Sequence, residues 1–251
     1  MKRVLWVVTG AGCFMRCSAG VFLETSKDVL ADVVFTAAGL EVARIYGVLD
    51  VFIRHSRHIY YELPASGGVL AGRVAGGFYS LVVVAPATSN TVAKIRHGIA
   101  DTPPLTAVLQ AVKNMIPVVI LPTDALAVVE TELPCMIEHG LCNGCGSCME
   151  TCPAGAIYMA DGVAHIDYQK CIGCTRCVEA CMRGAIKCWE RISVECSPLD
   201  LENAWLLARV KPVRLVVNCH ELREEIKRLL SGSGEVRSDA RCKGGCRHHR
   251  R

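Results

Sequence analysis

Residues 81–95 read Leu-Val-Val-Val-Ala-Pro-Ala-Thr-Ser-Asn-Thr-Val-Ala-Lys-Ile and pass from an apolar run through small polar residues into a helical pattern. The run Leu81–Ala85 has the length of a buried strand, and because polar residues do not alternate in it, both of its faces are predicted to be covered. Polar residues that follow such a strand lie at the sheet edge where open α/β sheets bind ligands. This stretch therefore predicts a strand, a binding loop and a helix of a parallel sheet.

The chain on either side repeats this alternation of short β-branched runs and helical patterns. Strands are predicted at Val4–Val8, Asp32–Thr36, Val118–Leu121 and Val213–Val217, and helices at Glu41–Val51, Leu105–Lys113, Ser197–Arg209 and Glu221–Leu230. Strands that alternate with helices favour a parallel sheet with helices on both faces. We therefore predict an α/β fold of the Rossmann-like type, built from residues 1–131 and 192–230.

Composition excludes several classes of protein. Hydrophobic residues make up 51% of the 251 residues and charged residues 21%, which is typical of a globular chain and not of a disordered one. No uninterrupted apolar stretch reaches about 18 residues, so a membrane-spanning helix is not expected. The apolar run after Arg3 ends at Thr9-Gly10, too early for a signal peptide. A net charge of +4 gives no reason to expect nucleic-acid binding, and we expect a cytoplasmic protein without a membrane partner.

The segment 132–191 is rich in cysteine and contains an internal repeat. The pattern C-x2-C-x2-C-x3-C occurs twice, with its cysteines at Cys142, Cys145, Cys148 and Cys152 and again at Cys171, Cys174, Cys177 and Cys181. This spacing is typical of two-cluster ferredoxins, in which the fourth cysteine of each half binds the other cluster. The segment is therefore predicted to be an inserted α+β ferredoxin-like domain with two 4Fe–4S clusters. Cluster 1 is assigned Cys142, Cys145, Cys148 and Cys181, and cluster 2 is assigned Cys171, Cys174, Cys177 and Cys152.

Zinc ligation and disulfide bonding account for the repeat less well. A zinc site made of paired C-x2-C units leaves the third and fourth cysteines without a role. Disulfides need an oxidising compartment and do not account for a strict repeat.

The remaining cysteines have no comparable spacing. Cys13 and Cys17 lie four residues apart at a helix start, and we expect small buried residues in preference to a redox pair. Packing roles are expected for Cys135, Cys188, Cys196 and Cys219. Residues 231–251 form a basic stretch without periodicity, which predicts a mobile tail, and no metal site is assigned to its Cys242, Cys246, His248 and His249.

Thr9-Gly10-Ala11-Gly12 directly follows the first predicted strand and opens a helix. Such a turn presents backbone N–H groups at the positive end of a helix, where a phosphate group binds well. It is not a G-x-G-x-x-G motif, so a dinucleotide site is not indicated. A tight turn without a ligand is an equal alternative.

Taken with Trp6–Gly12, Val118–Pro122 and the helix Leu201–Arg209, the stretch Ala85–Asp101 resembles the homo-oligomeric flavin-containing cysteine decarboxylase superfamily. The superfamily's signature is Pro-Ala-Ser-Ala-Asn-Thr, and the resemblance is closest to its archaeoflavoprotein branch. It implies a flavodoxin-like domain that binds FMN, partly across a subunit contact in a homotrimer or an assembly of trimers. By position, the implied FMN contacts are Thr9, Gly10, Ala11, Thr36, Ala37, Pro86, Ala87, Thr88, Ser89, Asn90 and Thr91.

The same resemblance makes Asn90 the candidate catalytic residue, because the matching asparagine of the decarboxylases handles the substrate carboxylate. His55 and His58 lie in an unmatched segment, and we expect them to have surface or packing roles.

A flavin and two one-electron clusters in one chain favour an oxidoreductase, because a flavin can pass single electrons on as a pair. Electrons would come from ferredoxin or another low-potential donor, through the clusters and FMN, to a small molecule. Ferredoxin-fused members of the superfamily resemble dihydromethanopterin reductases (acceptor), which implies a dihydropterin substrate. One alternative is an electron-transfer flavoprotein whose partner is another redox protein. A flavin-dependent cysteine decarboxylase is the other.

Overall fold

The computed structural model describes residues 1–232 and is organised around a six-stranded sheet. Every neighbouring pair in this sheet is parallel. From one edge to the other, the strands are β12 (Val213–Leu215), β5 (Val118–Pro122), β4 (Leu81–Ala87), β1 (Arg3–Val8), β2 (Leu30–Phe35) and β3 (Ile59–Tyr60). The most apolar runs of the sequence, β1, β4 and β5, take the central places.

Helices cover both faces of the sheet, as the sequence predicts. One face packs against α1 (Met15–Thr25), α2 (Ala37–Ile45), α3 (Leu49–His55) and α10 (Cys219–Ser231). The other face packs against α4 (Pro64–Ala75), α5 (Ser89–Arg96), α6 (Pro103–Lys113) and α9 (Pro198–Leu207). Alternate residues of β1 enter the two cores, because successive side chains of a strand point to opposite faces. Within residues 1–232 no helix is both long enough and apolar enough to cross a membrane.

The chain between β5 and α9 forms three small antiparallel pairs and two short helices. The outermost pair, a ribbon of β6 (Val128–Glu132) and β11 (Arg191–Glu195), encloses the cysteine-rich segment. Inside it lie β7 (Met136–Ile137) with β10 (Ile186–Lys187), β8 (Ile157–Ala160) with β9 (Val163–Ile166), α7 (Ser147–Thr151) and α8 (Arg176–Ala180). A separate small core contains Cys148, Ile157, Ala164 and Ile186.

Several local expectations are corrected. The helix predicted over Glu41–Val51 is two helices, α2 and α3, because the chain turns at Gly47 with a φ of +68°. Cys17 is exposed, so the buried role predicted for it is wrong, and it forms a disulfide with Cys219. Cys135 and Cys188 form a second disulfide, which adds to their expected packing role.

Both pairs are far apart in the sequence, which is why spacing did not reveal them. Residues 233–251, with the predicted tail and Cys242, Cys246, His248 and His249, lie outside the described residues.

Candidate active site and cysteine cavities

A cavity of about 410 Å³ opens at the carboxyl ends of β1, β2 and β4. Its size falls in the range of small-molecule sites, and its place is the ligand-binding edge of a parallel sheet. Polar groups and a small apolar wall line it together. The lining residues are Val7, Thr9, Gly10, Thr36, Ala37, Ala38, Glu62, Thr88, Asn90, Thr91, Lys94, Thr102, Pro104, Leu105 and Val108.

Thr9 ties the first loop of this cavity to the second. Its side chain is buried, and Oγ1 donates a hydrogen bond to the Pro86 carbonyl (2.8 Å) and accepts one from the Thr88 N–H (3.0 Å). A threonine hydroxyl has one proton, so Oγ1 donates to the Pro86 carbonyl and acts as the acceptor toward the Thr88 N–H. Thr9 therefore positions the loop that carries Asn90.

Two helices begin at the cavity, and each has a threonine cap. Thr36 Oγ1 accepts from the Gly39 N–H (2.9 Å) at the start of α2, and Thr88 Oγ1 accepts from the Thr91 N–H (3.2 Å) at the start of α5. The first turns of both helices present the positive end of the helix dipole, which favours anions. At α2 the Ala37 N–H already donates to the Glu62 carboxylate at 2.7 Å.

Thr102 supplies a further polar group in the cavity wall. Its Oγ1 is buried and has no hydrogen-bond partner. Buried polar atoms are nearly always paired, so an orphaned hydroxyl in a cavity is an available contact for a ligand. Lys94, by contrast, is held by Asp101 at 2.6 Å.

The structure brings most of the predicted cofactor-binding residues together. Seven of the eleven line the cavity: Thr9, Gly10, Thr36, Ala37, Thr88, Asn90 and Thr91. The other four, Ala11, Pro86, Ala87 and Ser89, are not among the lining residues, and Ala87 packs into the core instead.

Sequence reasoning missed Glu62, Lys94 and Thr102. Glu62 and Thr102 belong to segments that carry no recognisable motif, and Lys94 follows the Pro86–Thr91 signature without being part of it. His55 and His58 are absent from the lining, and His58 Nδ1 lies 3.1 Å from Asp32 Oδ1.

The eight cysteines of the repeat surround two further cavities. Cys142, Cys145, Cys148 and Cys181 line one, and Cys152, Cys171, Cys174 and Cys177 line the other. These groups, named here the first set and the second set, are the two crossed groups that the spacing predicts. Backbone N–H groups point at the sulfurs, as from Ala164 to Cys142 (3.4 Å), Ala156 to Cys152 (3.3 Å) and Ala185 to Cys181 (3.3 Å).

The thiols of the repeat do not share one environment: hydrogen bonds from Ser147 lower the pKa of Cys145, whereas burial acts in the opposite direction on two others. Burial raises the pKa of Cys148, and it raises the pKa of Cys177 to about 11. These thiols are therefore protonated at neutral pH unless a metal displaces the proton, as a metal does on ligation. In the part of the chain described, no group of three or more His, Cys, Asp or Glu is arranged around a single metal ion. Four cysteines beside each cavity are the number of ligands that a 4Fe–4S cluster takes.

Two family models match the chain, one for each part. The model described as Flavoprotein matches residues 1–139, and the 4Fe-4S dicluster domain matches residues 141–186. The boundary between them falls directly before the first cysteine of the repeat.

Curated relatives match over both parts. The dihydromethanopterin reductase (acceptor) of Methanocaldococcus jannaschii is 36% identical over 233 residues, which cover 88% of this chain and 94% of the relative. The enzyme of the same name from Methanosarcina mazei is 37% identical over 173 residues, or 64% of this chain and 72% of the relative.

Among solved structures, Burkholderia xenovorans DmrB in complex with FMN, described as a cubic protein cage for redox transfer, superimposes with a TM-score of 0.61. It is 25% identical to this chain, and the match covers 92% of this chain and 97% of DmrB.

Proposed function

Because the chain belongs to the flavoprotein family and is a relative of the dihydromethanopterin reductases (acceptor) over nearly its whole length, we propose that it reduces a dihydropterin to the tetrahydropterin. The reaction consumes two electrons and two protons for each C=N bond reduced. The protein is an FMN- and iron–sulfur-dependent oxidoreductase. Ferredoxin or another low-potential one-electron donor is the proposed source of the electrons, and the cytoplasm is the proposed location.

The cavity at the carboxyl edge of the sheet fits FMN. Its phosphate would meet the Thr9–Gly10 loop that follows β1, whereas the first turn of α2 already donates from Ala37 to the Glu62 carboxylate and from Gly39 to Thr36. The Thr102 hydroxyl would gain the partner that it lacks. Bound FMN would collect single electrons and deliver them to the substrate as a pair together with a proton, which is the chemistry that this reaction needs.

The chain itself orients the substrate and excludes water. The Asn90 amide offers two donors and one acceptor at the start of α5, next to the cavity, and we assign it the polar edge of the substrate ring. Leu105 and Val108 of α6 close the other side with apolar surface. A planar ring between a polar and an apolar wall is held in one orientation.

The two cysteine sets would hold one 4Fe–4S cluster each. Residues 132–191 would then form a domain inserted between β5 and α9, whose own core is separate from the two cores of the sheet. We also propose a homotrimer or an assembly of trimers. The ribbon of β6 and β11 exposes Val128, Ile192 and Val194 to solvent in one chain, a surface that a second copy would cover.

The observation that carries the reductase proposal is the pairing of a ligand-sized cavity at the carboxyl edge of the sheet with two four-cysteine cavities in one chain. A pure electron carrier needs an exposed flavin edge and no substrate pocket. For the decarboxylase alternative, a histidine near the flavin is required, and none of the described residues that line the cavity is a histidine.

An anaerobic single-turnover experiment tests the proposal. The protein with its cofactors is reduced and mixed with a dihydropterin, and flavin reoxidation is followed together with pterin absorbance. Stoichiometric tetrahydropterin is the expected result. A flavin that stays reduced with the pterin but reoxidises promptly with ferredoxin would make the protein an electron carrier.

A further inference from the structure

The loop that starts the second set packs directly against the end of α2. The Arg44 guanidinium donates from Nη1 to the Cys171 carbonyl (2.7 Å) and from Nη2 to the Tyr168 carbonyl (3.0 Å). A planar guanidinium that spans two carbonyls fixes the direction of the loop as well as its position. Arg44 therefore holds this loop on the flavoprotein domain.

Two glycines make the contact close. Gly47 and Gly173 both have positive φ values, +68° and +60°. A Cβ at Gly173 would lie 2.3 Å from the Ile45 carbonyl oxygen and 2.7 Å from the Gly47 nitrogen, and a Cβ at Gly47 would lie 2.9 Å from the Gly173 oxygen. The two backbones thus touch without side chains between them.

The opposite end of α2 borders the flavin cavity, through Ala37 and Ala38. A helix of nine residues is about 13 Å long. Tyr46, the residue after α2, packs against both parts of the chain: its backbone lies against Gly173, and its hydroxyl lies where a Cβ of Gly12 would be. Burial raises the pKa of Tyr46 to about 12, so the hydroxyl stays protonated and donates to the Glu132 carbonyl (2.6 Å).

The first set shows a different arrangement at the equivalent position. Gly144 corresponds to Gly173 in the repeat and has a φ of +70°, but a Cβ there would meet the Gly162 carbonyl oxygen at 2.3 Å. That neighbour belongs to the cysteine-rich segment itself. Gly144 thus closes a turn within the segment, whereas Gly173, at the equivalent position of the other half, docks the segment on α2.

We infer that the cluster held by the second set exchanges electrons with the flavin of the same chain. Arg44, Gly47 and Gly173 are then positioning residues for this transfer. The inference rests on the proposed function. In each transfer the cluster held by the second set would lose one electron and the flavin would gain it, and the cluster held by the first set, reduced by a low-potential one-electron donor, would restore it. Two such transfers with two protons from water reduce the flavin fully.

The first test compares Arg44→Ala with Arg54→Ala, in the full chain loaded with both cofactors. Arg54 is a matched control because it is an exposed arginine of the next helix, and within residues 1–232 its ion-pair partner is Asp50 at 3.2 Å. Loss of two hydrogen bonds weakens the docked state by roughly tenfold to thirtyfold, so amide hydrogen exchange at residues 168–174 should accelerate by that factor. Flavin reduction after rapid reduction of the clusters should slow in Arg44→Ala and not in Arg54→Ala.

The second test compares two variants, each of which adds a methyl group to one half of the repeat. Gly173→Ala and Gly144→Ala place a Cβ at equivalent positive φ, but only the first pushes against α2. Hydrogen exchange of the α2–α3 turn should accelerate in Gly173→Ala alone. Iron and FMN per chain are measured in every variant.

The outcomes separate the two proposals. Wild-type protein that contains no flavin or no iron would overturn the proposed function and the inference with it. Full cofactor content with wild-type rates of flavin reduction in both Arg44→Ala and Gly173→Ala would overturn the inference alone.

Discussion

Replacing Thr9 by valine removes one hydroxyl from the junction of the two cavity loops and changes the volume little. The Thr88 N–H, which donates to Thr9 Oγ1 at 3.0 Å, is then left without a partner, whereas the Pro86 carbonyl keeps the Thr9 N–H at 3.4 Å. An orphaned donor costs about 1–3 kcal/mol when it is fully buried, and because this one is part-buried beside the cavity, a loss of about 1 kcal/mol is expected. In a chain of this size each kcal/mol lowers Tm by roughly 2–4 °C.

The same change should weaken FMN binding, because Thr88 caps α5 and precedes Asn90. The assay measures Tm of the flavin-free protein and FMN affinity from the quenching of flavin fluorescence. Thr9→Ser is the matched control, since it keeps the hydroxyl and loses only a methyl group. If Thr9→Val and Thr9→Ser have the same Tm and the same FMN affinity, the positioning role of this hydroxyl is refuted.

Three further changes test separate parts of the chain. Cys145→Ala should halve the iron content and leave FMN bound, by metal analysis and flavin absorbance; loss of flavin as well would contradict independent sites. Thr102→Val should lower FMN affinity by about tenfold at most without lowering Tm of the flavin-free protein, because its hydroxyl has no partner to lose; an unchanged affinity would remove Thr102 from the site. Ile192→Lys, on the exposed ribbon, should reduce the mass of the assembly in light scattering, and an unchanged mass would place the subunit contact elsewhere.

Local patterns were sufficient for much of the fold. The apolar runs at β1, β4 and β5 are buried on both faces, and for that reason their pattern is continuous and easy to recognise. The cysteine repeat is equally local, because each cluster is assigned three of its four sulfurs from seven consecutive residues of one half. The structure confirms the predicted parallel sheet with helices on both faces, and the family matches confirm the flavoprotein and 4Fe-4S assignments.

What the sequence missed depends on contacts between distant residues. Glu62 reaches the cavity only because the short strand β3 places it beside the start of α2. Helix α4 begins Pro-Ala-Ser-Gly-Gly, a composition that disfavours a helix in isolation, and it forms because its buried face packs on the sheet. The contact of Gly47 with Gly173 is of the same kind, since neither neighbourhood contains a sign of the other.

Two separate attachments hold the cysteine-rich segment at the edge of the sheet where the cavity opens. The ribbon of β6 and β11 follows the carboxyl end of β5, and Glu132 of this ribbon pairs with Arg16 of α1 at 3.2 Å. Arg44 and Gly47 attach the far side of the segment to the end of α2. A segment inserted at the amino ends of the strands would lie farther from the cavity by about the length of β4, seven residues or roughly 23 Å. The position of the cysteine-rich segment in the chain and its contact on α2 would therefore both shorten the path between the proposed clusters and the flavin.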